Sequence, residues 1–257
     1  MTLIVFATVA LAIVAGLRGA WSPCGLSMLS TITPIGERGR GNRYVTTARW
    51  YVIGAIAGGL CLGAVAAVLS TVAGLQGATR LVVVATGALV AAVSDARVGG
   101  LALPTHRRQV NERWLDQYRA WVYGGGFGWQ IGTGLATYIT TAAVYLLVVV
   151  LVVGGNPTLA LGGGGLFGLT RGLAVLLTRH VRTPDDLRRV HAAVQDAGPA
   201  LHEAVLLGEV VVGSAAAASA VPLFGVVVGI AGLAILAYAR RHRTLVCDLD
   251  ADRRLLA

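Results

Sequence analysis

Residues Trp21 to Thr31 read Trp-Ser-Pro-Cys-Gly-Leu-Ser-Met-Leu-Ser-Thr and place one thiol, one proline and several hydroxyls at the end of an apolar run. A cysteine beside a broken helix end can act as a nucleophile, which makes Cys24 the candidate catalytic residue. The competing reading is a small, inert buried side chain, the commoner fate of a single cysteine. Pro23 lacks a backbone N–H and frees a carbonyl one turn earlier, so irregular backbone at Ser22 and Pro23 suits a site facing protein or water, not lipid. A partial counterpart follows about a hundred residues on, at Gly128-Trp129-Gln130-Ile131-Gly132-Thr133-Gly134-Leu135-Ala136-Thr137.

Ionisable groups inside apolar runs are the other candidates, because each costs several kcal/mol in lipid unless it is paired or hydrated. Arg18, Arg171 and Glu209 qualify. Glu209 is the foremost: paired with Arg171, or a proton or cation site, or one half of a structural pair that fixes packing. Asp95 and Glu203 lie near span ends and read as solvated. Gln130, Thr133, Thr137, Thr140 and Thr141 recur at i, i+3, i+7, i+10 and i+11, one face of a continuous helix. Such a stripe lines a path or serves as interhelical hydrogen-bonding glue.

The elements that carry these residues are set by composition. The 257 residues are 56% hydrophobic and 13% charged, with mean hydropathy +0.73. A soluble domain carries roughly a quarter charged residues, and several runs here reach the ~20 residues that cross a bilayer. The expected fold is an all-α integral membrane protein of about seven transmembrane helices: two inverted three-helix repeats plus a terminal helix. Residues 1–103 form the first repeat and 104–120 a cytoplasmic interfacial segment. Residues 121–239 form the second repeat with the extra helix, and 240–257 a cytoplasmic tail.

The formal charge of +9 comes from arginines flanking apolar segments, so membrane lipids are the expected partners and nucleic acid is not. Cys24, Cys61 and Cys247 make no CxxC motif or Cys/His cluster, so neither a metal site nor a cofactor is expected. Residues 3–17 lack a preceding positive charge and read as a retained helix, not a cleaved leader.

The spans fall at about 3–29, 50–72, 81–98, 121–153 and 158–177, with a final apolar stretch, 202–239, too long for one crossing and divided at Pro222. The fourth is long enough to be broken, with the break expected near Gly124-Gly125-Gly126. Thr183-Pro184-Asp185-Asp186 reads as a helix start. With seven spans, eighteen arginines fall on one side and Arg80 alone on the other. The positive-inside rule then puts the protein in the cell membrane as a multi-pass chain, N-terminus outside and C-terminus cytoplasmic.

Ser22-Pro23-Cys24, Gly128-Trp129 and the glycine-rich fifth span resemble the transmembrane proteins of cytochrome c biogenesis and thiol-disulfide interchange. The resemblance implies two inverted repeats and a cysteine in each, passing reducing equivalents from a thioredoxin-like protein to an outer-face acceptor. Ser22-Pro23-Cys24 matches the first motif, but Gly132 stands where the second cysteine belongs. Three functions follow: thiol redox through Cys24, with Cys61 or a partner's thiol as second sulfur; small-solute or ion transport along Glu209 and the threonines; or a non-catalytic assembly factor.

Overall fold

The computed structural model describes residues 2–104 and 113–255, with side chains to residue 242. The side chains of Cys247 and the tail aspartates, and residues 105–112 of the interfacial segment, lie outside what is described. Among the described residues the regular structure is all helical, with no strand. The helices are α1 (Thr2–Arg18), α2 (Pro23–Thr31), α3 (Pro34–Gly39), α4 (Tyr44–Ala73), α5 (Gly77–Asp95), α6 (Trp114–Gln117), α7 (Ala120–Gly132), α8 (Ala143–Val153), α9 (Pro157–Leu173), α10 (Pro184–Ala220) and α11 (Pro222–Leu255). Six stretches are long and apolar enough to cross a membrane: Thr2–Trp21, Tyr44–Ala73, Gly77–Asp95, Pro157–Thr178, Pro184–Ala220 and Pro222–His242.

Four helices start by one local device, an oxygen-bearing residue followed by proline. Ser22, Thr33, Asn156 and Thr183 each accept a hydrogen bond from a backbone N–H of the first turn, and the next residue is proline at the first helical position. Thr183 and Asp186 complete a reciprocal capping box. Pro23 therefore opens a new helix; it does not distort the interior of a longer one, as the sequence suggested. Pro199 does lie inside a helix, and α10 runs unbroken through it. The amphipathic segment after Thr178 and the sixth span are thus one helix of 37 residues.

The centre of the bundle is α4, flanked by α7 and α9. Glycines allow this. On α7, Gly124, Gly128 and Gly132 recur every fourth residue and lie on the carbonyls of Thr47, Tyr51 and Ala55, themselves four apart on α4. On α9, Gly164, Gly168 and Gly172 face Gly59, Ala55 and Val52. A β-carbon at Gly128, Gly132, Gly164 or Gly168 would meet backbone, so these are small-residue packing faces. This explains why the fourth span does not break at Gly124-Gly125-Gly126: those residues are helical and hold α7 against α4. The break comes later, at residues 133–142, and splits the span into α7 and α8.

Together the two pieces traverse the bundle. Gly124 of α7 lies by Thr47 at the start of α4, and Gly154, just past α8, lies by Ile4 at the start of α1. Helix α5 packs along α10, with Gly213 against Ala88, and α11 returns beside α10, with Gly232 against Val210. Besides the six long helices, α7 and the shorter apolar α8 follow one another across the bundle, from the face where α4 begins.

A buried polar cluster closes that face. Glu37 is fully buried; its carboxylate accepts from Thr47 Oγ1 at 2.5 Å, Tyr123 Oη at 2.6 Å and Arg40 Nη2 at 2.7 Å. Asn42 Nδ2 donates to Tyr123 Oη at 3.3 Å, and Arg40 Nη2 also reaches the Thr31 carbonyl at 2.6 Å. The cluster ties the end of α2 and α3 to α4 and α7.

Two stability predictions follow, both read as thermal midpoints of the purified protein in detergent. Gly164→Ala should cost about 1–3 kcal/mol through overpacking, whereas Gly162→Ala, whose β-carbon meets nothing within 4 Å, should be neutral or slightly stabilising. Equal midpoints would contradict the packing described. Tyr123→Phe, which leaves Glu37 one donor short in a buried site, should cost about 1–3 kcal/mol.

Candidate functional site

The first span is interrupted where the sequence places its thiol. Helix α1 ends at Arg18, Gly19–Trp21 form a 3-10 turn, and Ser22 adopts extended backbone (φ −73°, ψ 153°) before α2 begins. Trp21 Nε1 donates to the Val194 carbonyl at 2.7 Å and anchors the turn to α10. Cys24 is the second residue of α2 and is 1% exposed. Ser22 and Pro23 build the helix start that positions it.

Arg171 of α9 meets this turn from the other half of the chain. It is 3% exposed, its Nη2 lies 3.5 Å from the Gly19 carbonyl, and its guanidinium sits 5.5 Å above the Phe167 ring centroid. Any side chain at Gly19 would occupy the guanidinium's place. The groups that act on Arg171 electrostatically are Tyr51 and Cys24, and its Nε has no hydrogen-bond acceptor among the described residues. A void of about 10 Å³ beside Arg171, Tyr51 and Met28 has room for roughly one water. The pairing of Arg171 with Glu209 entertained from the sequence does not occur: Arg171 belongs to the Cys24 cluster. Cys61, exposed on α4, lies ten residues from Tyr51, about 15 Å along the helix, and no disulfide joins it to Cys24.

The second site lies at the break in the fourth span. Thr133 Oγ1 donates to the Gln130 carbonyl at 2.8 Å, and Gly134 turns the chain with φ +70°. The Phe167 ring fills the space beside it, so glycine is required there on both counts. Residues 133–142 are not helical, so Thr137, Thr140 and Thr141 do not share a helical face with Gln130 and Thr133, contrary to the stripe read from the sequence. Thr137 is buried, and the hydroxyls of Thr137 and Thr140 lack partners among the described residues.

Asp95 governs this break. Its carboxylate accepts from the Ala142 N–H at 2.7 Å and from the Thr141 hydroxyl, at the start of α8. It is thus the N-terminal cap of a helix elsewhere in the chain. Arg18 and Arg97 act on it electrostatically. The sequence reading of Asp95 as merely solvated is corrected: it sits against α8 because α8 starts inside the bundle. Glu209, 0% exposed on α10, has Asp95 as the charged group acting on it, and neither of its carboxyl oxygens receives a hydrogen bond from the described residues. A cavity of about 260 Å³ opens beside Asp95, lined also by Arg18, Thr140, Thr141, Tyr145 and His202.

The candidate residues therefore divide. Cys24, Ser22, Pro23 and Arg171 come together at the first break, and Thr140 and Thr141 line the cavity at the second, with Asp95. Gln130 and Thr133 terminate α7, and Glu203 pairs with Arg240 (2.5 Å). Asp95 is the residue that sequence reasoning missed. Its signal was an acid at the end of an apolar run in a chain with only 12 acids.

No family model and no solved structure matches the chain. Among curated proteins it is similar to the methylamine utilization protein MauF of Paracoccus versutus, 31% identical over 164 residues, covering 62% of this chain and 60% of that protein. MauF of Paracoccus denitrificans is 31% identical over 172 residues, covering 65% and 61%, and that of Methylorubrum extorquens 29% over 150 residues, covering 57% and 53%. The chain thus spans at most about three fifths of the length of these relatives. It is a polytopic helical protein similar to MauF proteins over the greater part of its length.

Proposed function

We propose that this chain is a membrane accessory protein that serves methylamine utilization, as the name of its relatives suggests, through thiol chemistry at Cys24. The observation that carries the reading is the placement of that thiol: second residue of a helix that starts inside the bundle, beside a buried arginine that has no carboxylate partner among the described residues. A thiol at the start of a helix, near a cation on another helix, is a setting in which cysteines act as nucleophiles.

One cysteine suffices if its partners bring two each. The Cys24 sulfur attacks an acceptor's disulfide, a mixed disulfide forms, and the acceptor's other sulfur leaves as thiolate. A thiolate of a dithiol donor then attacks Cys24, releasing the second acceptor sulfur. The donor's remaining thiol resolves that bond, so the acceptor gains the two electrons and two protons that the donor loses. Cys24 is closed off in this conformation, so each exchange follows a movement of α2 away from α9. On this reading the two halves act as inverted repeats around Cys24 in the cell membrane, with the arginine-rich face and the C-terminus cytoplasmic and the N-terminus outside.

Thiol trapping tests the proposal. Full-length protein in its native membranes is acid-quenched and tagged with a mass-shifting maleimide, as wild type, Cys24→Ser and Cys61→Ser. A reductant-sensitive adduct with another protein should be present in wild type and Cys61→Ser and absent from Cys24→Ser. Cys24→Ser cells should also grow poorly on methylamine. Normal growth of that strain, with no adduct in wild type, would overturn the reading.

A further inference from the structure

The chemistry at Cys24 leaves the most costly group in the molecule unused. Glu209 is wholly buried in an apolar helix, and neither carboxyl oxygen has a donor among the described residues, whereas buried carboxylates are ordinarily paired or hydrogen-bonded. The group acting on it is not a cation but a second carboxyl, Asp95. Two like charges in a water-poor site oppose each other, so a carboxyl pair in such surroundings holds a proton between its members.

The two acids differ in what surrounds them. Asp95 accepts the Ala142 N–H and the Thr141 hydroxyl at the positive end of α8, and Arg18 of α1 and Arg97 beyond α5 act on it. Glu209 has none of them. Asp95 also lines the cavity of about 260 Å³, with Tyr145 of α8 and His202 of α10, and Glu209 is not part of that lining. One acid therefore has hydrogen-bond donors and a cavity wall, and its neighbour, wholly buried, has neither.

We propose that Asp95 and Glu209 form a proton-exchange site, in which Glu209 carries a proton within the bundle and Asp95 passes it to and from water in the cavity. In the outward step the Glu209 O–H bond breaks as an Asp95 oxygen takes the proton. The Asp95 O–H bond then breaks to a cavity water, and a proton returned from the cavity through Asp95 to Glu209 restores the pair. The site lies against the N-terminus of a half-helix, where a small displacement of α8 changes the donors that hold Asp95. This goes beyond the thiol reading and does not rest on it.

The test is infrared spectroscopy of the full-length protein in lipid nanodiscs. Wild type should show a protonated-carboxyl C=O band that disappears in Glu209→Gln, and the band should shift on transfer to D₂O. Asp95→Asn should keep the band and slow its deuterium shift. A band untouched by Glu209→Gln would overturn the proposal. Should Glu209→Gln not fold, the deuterium shift of wild type against Asp95→Asn decides, and equal rates overturn it.

Discussion

A backbone amide buried away from water must find an acceptor, and the start of α8 is where that rule constrains this molecule most. Ending α7 at Gly132 and restarting at Ala143 leaves the first N–H groups of a helix inside the bundle. Asp95 meets the need from the end of α5, and Thr141 holds the carboxylate while its own oxygen accepts from Ala143. The arrangement brings a carboxylate to a place where a membrane protein would otherwise avoid one. Arg18, Arg97, the cavity and Glu209 are then all explained by reference to it. A continuous helix through residues 133–142 would need no cap, and Asp95 would have no reason to be there.

The break is tolerated only because its surroundings are rigid. Glycines four residues apart on α7 and α9 let α4 approach both at backbone distance. The van der Waals attraction between these faces does not depend on the hydrophobic effect, which lipid tails do not supply between helices. The buried Glu37 cluster fixes the same helices at one face through Tyr123 and Thr47. Close packing on one side of the bundle thus leaves the other side, where α5, α8 and α10 meet, free to hold a cavity and two acids.

Much of this was legible in the sequence, for physical reasons that differ by feature. Run length gave the membrane class, because bilayer thickness acts on residues close in sequence. Thr183-Pro184 and the division at Pro222 were readable because caps are local. The breakpoint of the fourth span was not: Gly124-Gly125-Gly126 has the composition of a break, and only the facing carbonyls of α4 show that it is a packing surface. The threonine face failed with it, since a periodicity means something only if the helix is continuous. Asp95 was misread for the same reason. An acid at a span end is normally solvated, and nothing near it in sequence reports that α8 begins beside it.

The two sites share a hinge. Arg18 acts on Asp95, and the next residue, Gly19, offers its carbonyl to Arg171 beside Cys24. These adjacent residues lie at the change from α1 to a 3-10 turn, a point where the helical ladder is already interrupted. A thiol reaction that moved α2 would pull on this turn. Because Gly19 has no side chain and Arg171 occupies that space, the turn cannot shift without the guanidinium shifting too. Through Arg18 the same displacement alters the charge facing Asp95. Redox change at one break and proton exchange at the other would then be coupled through one peptide unit, which gives a physical reason for the two breaks to lie side by side.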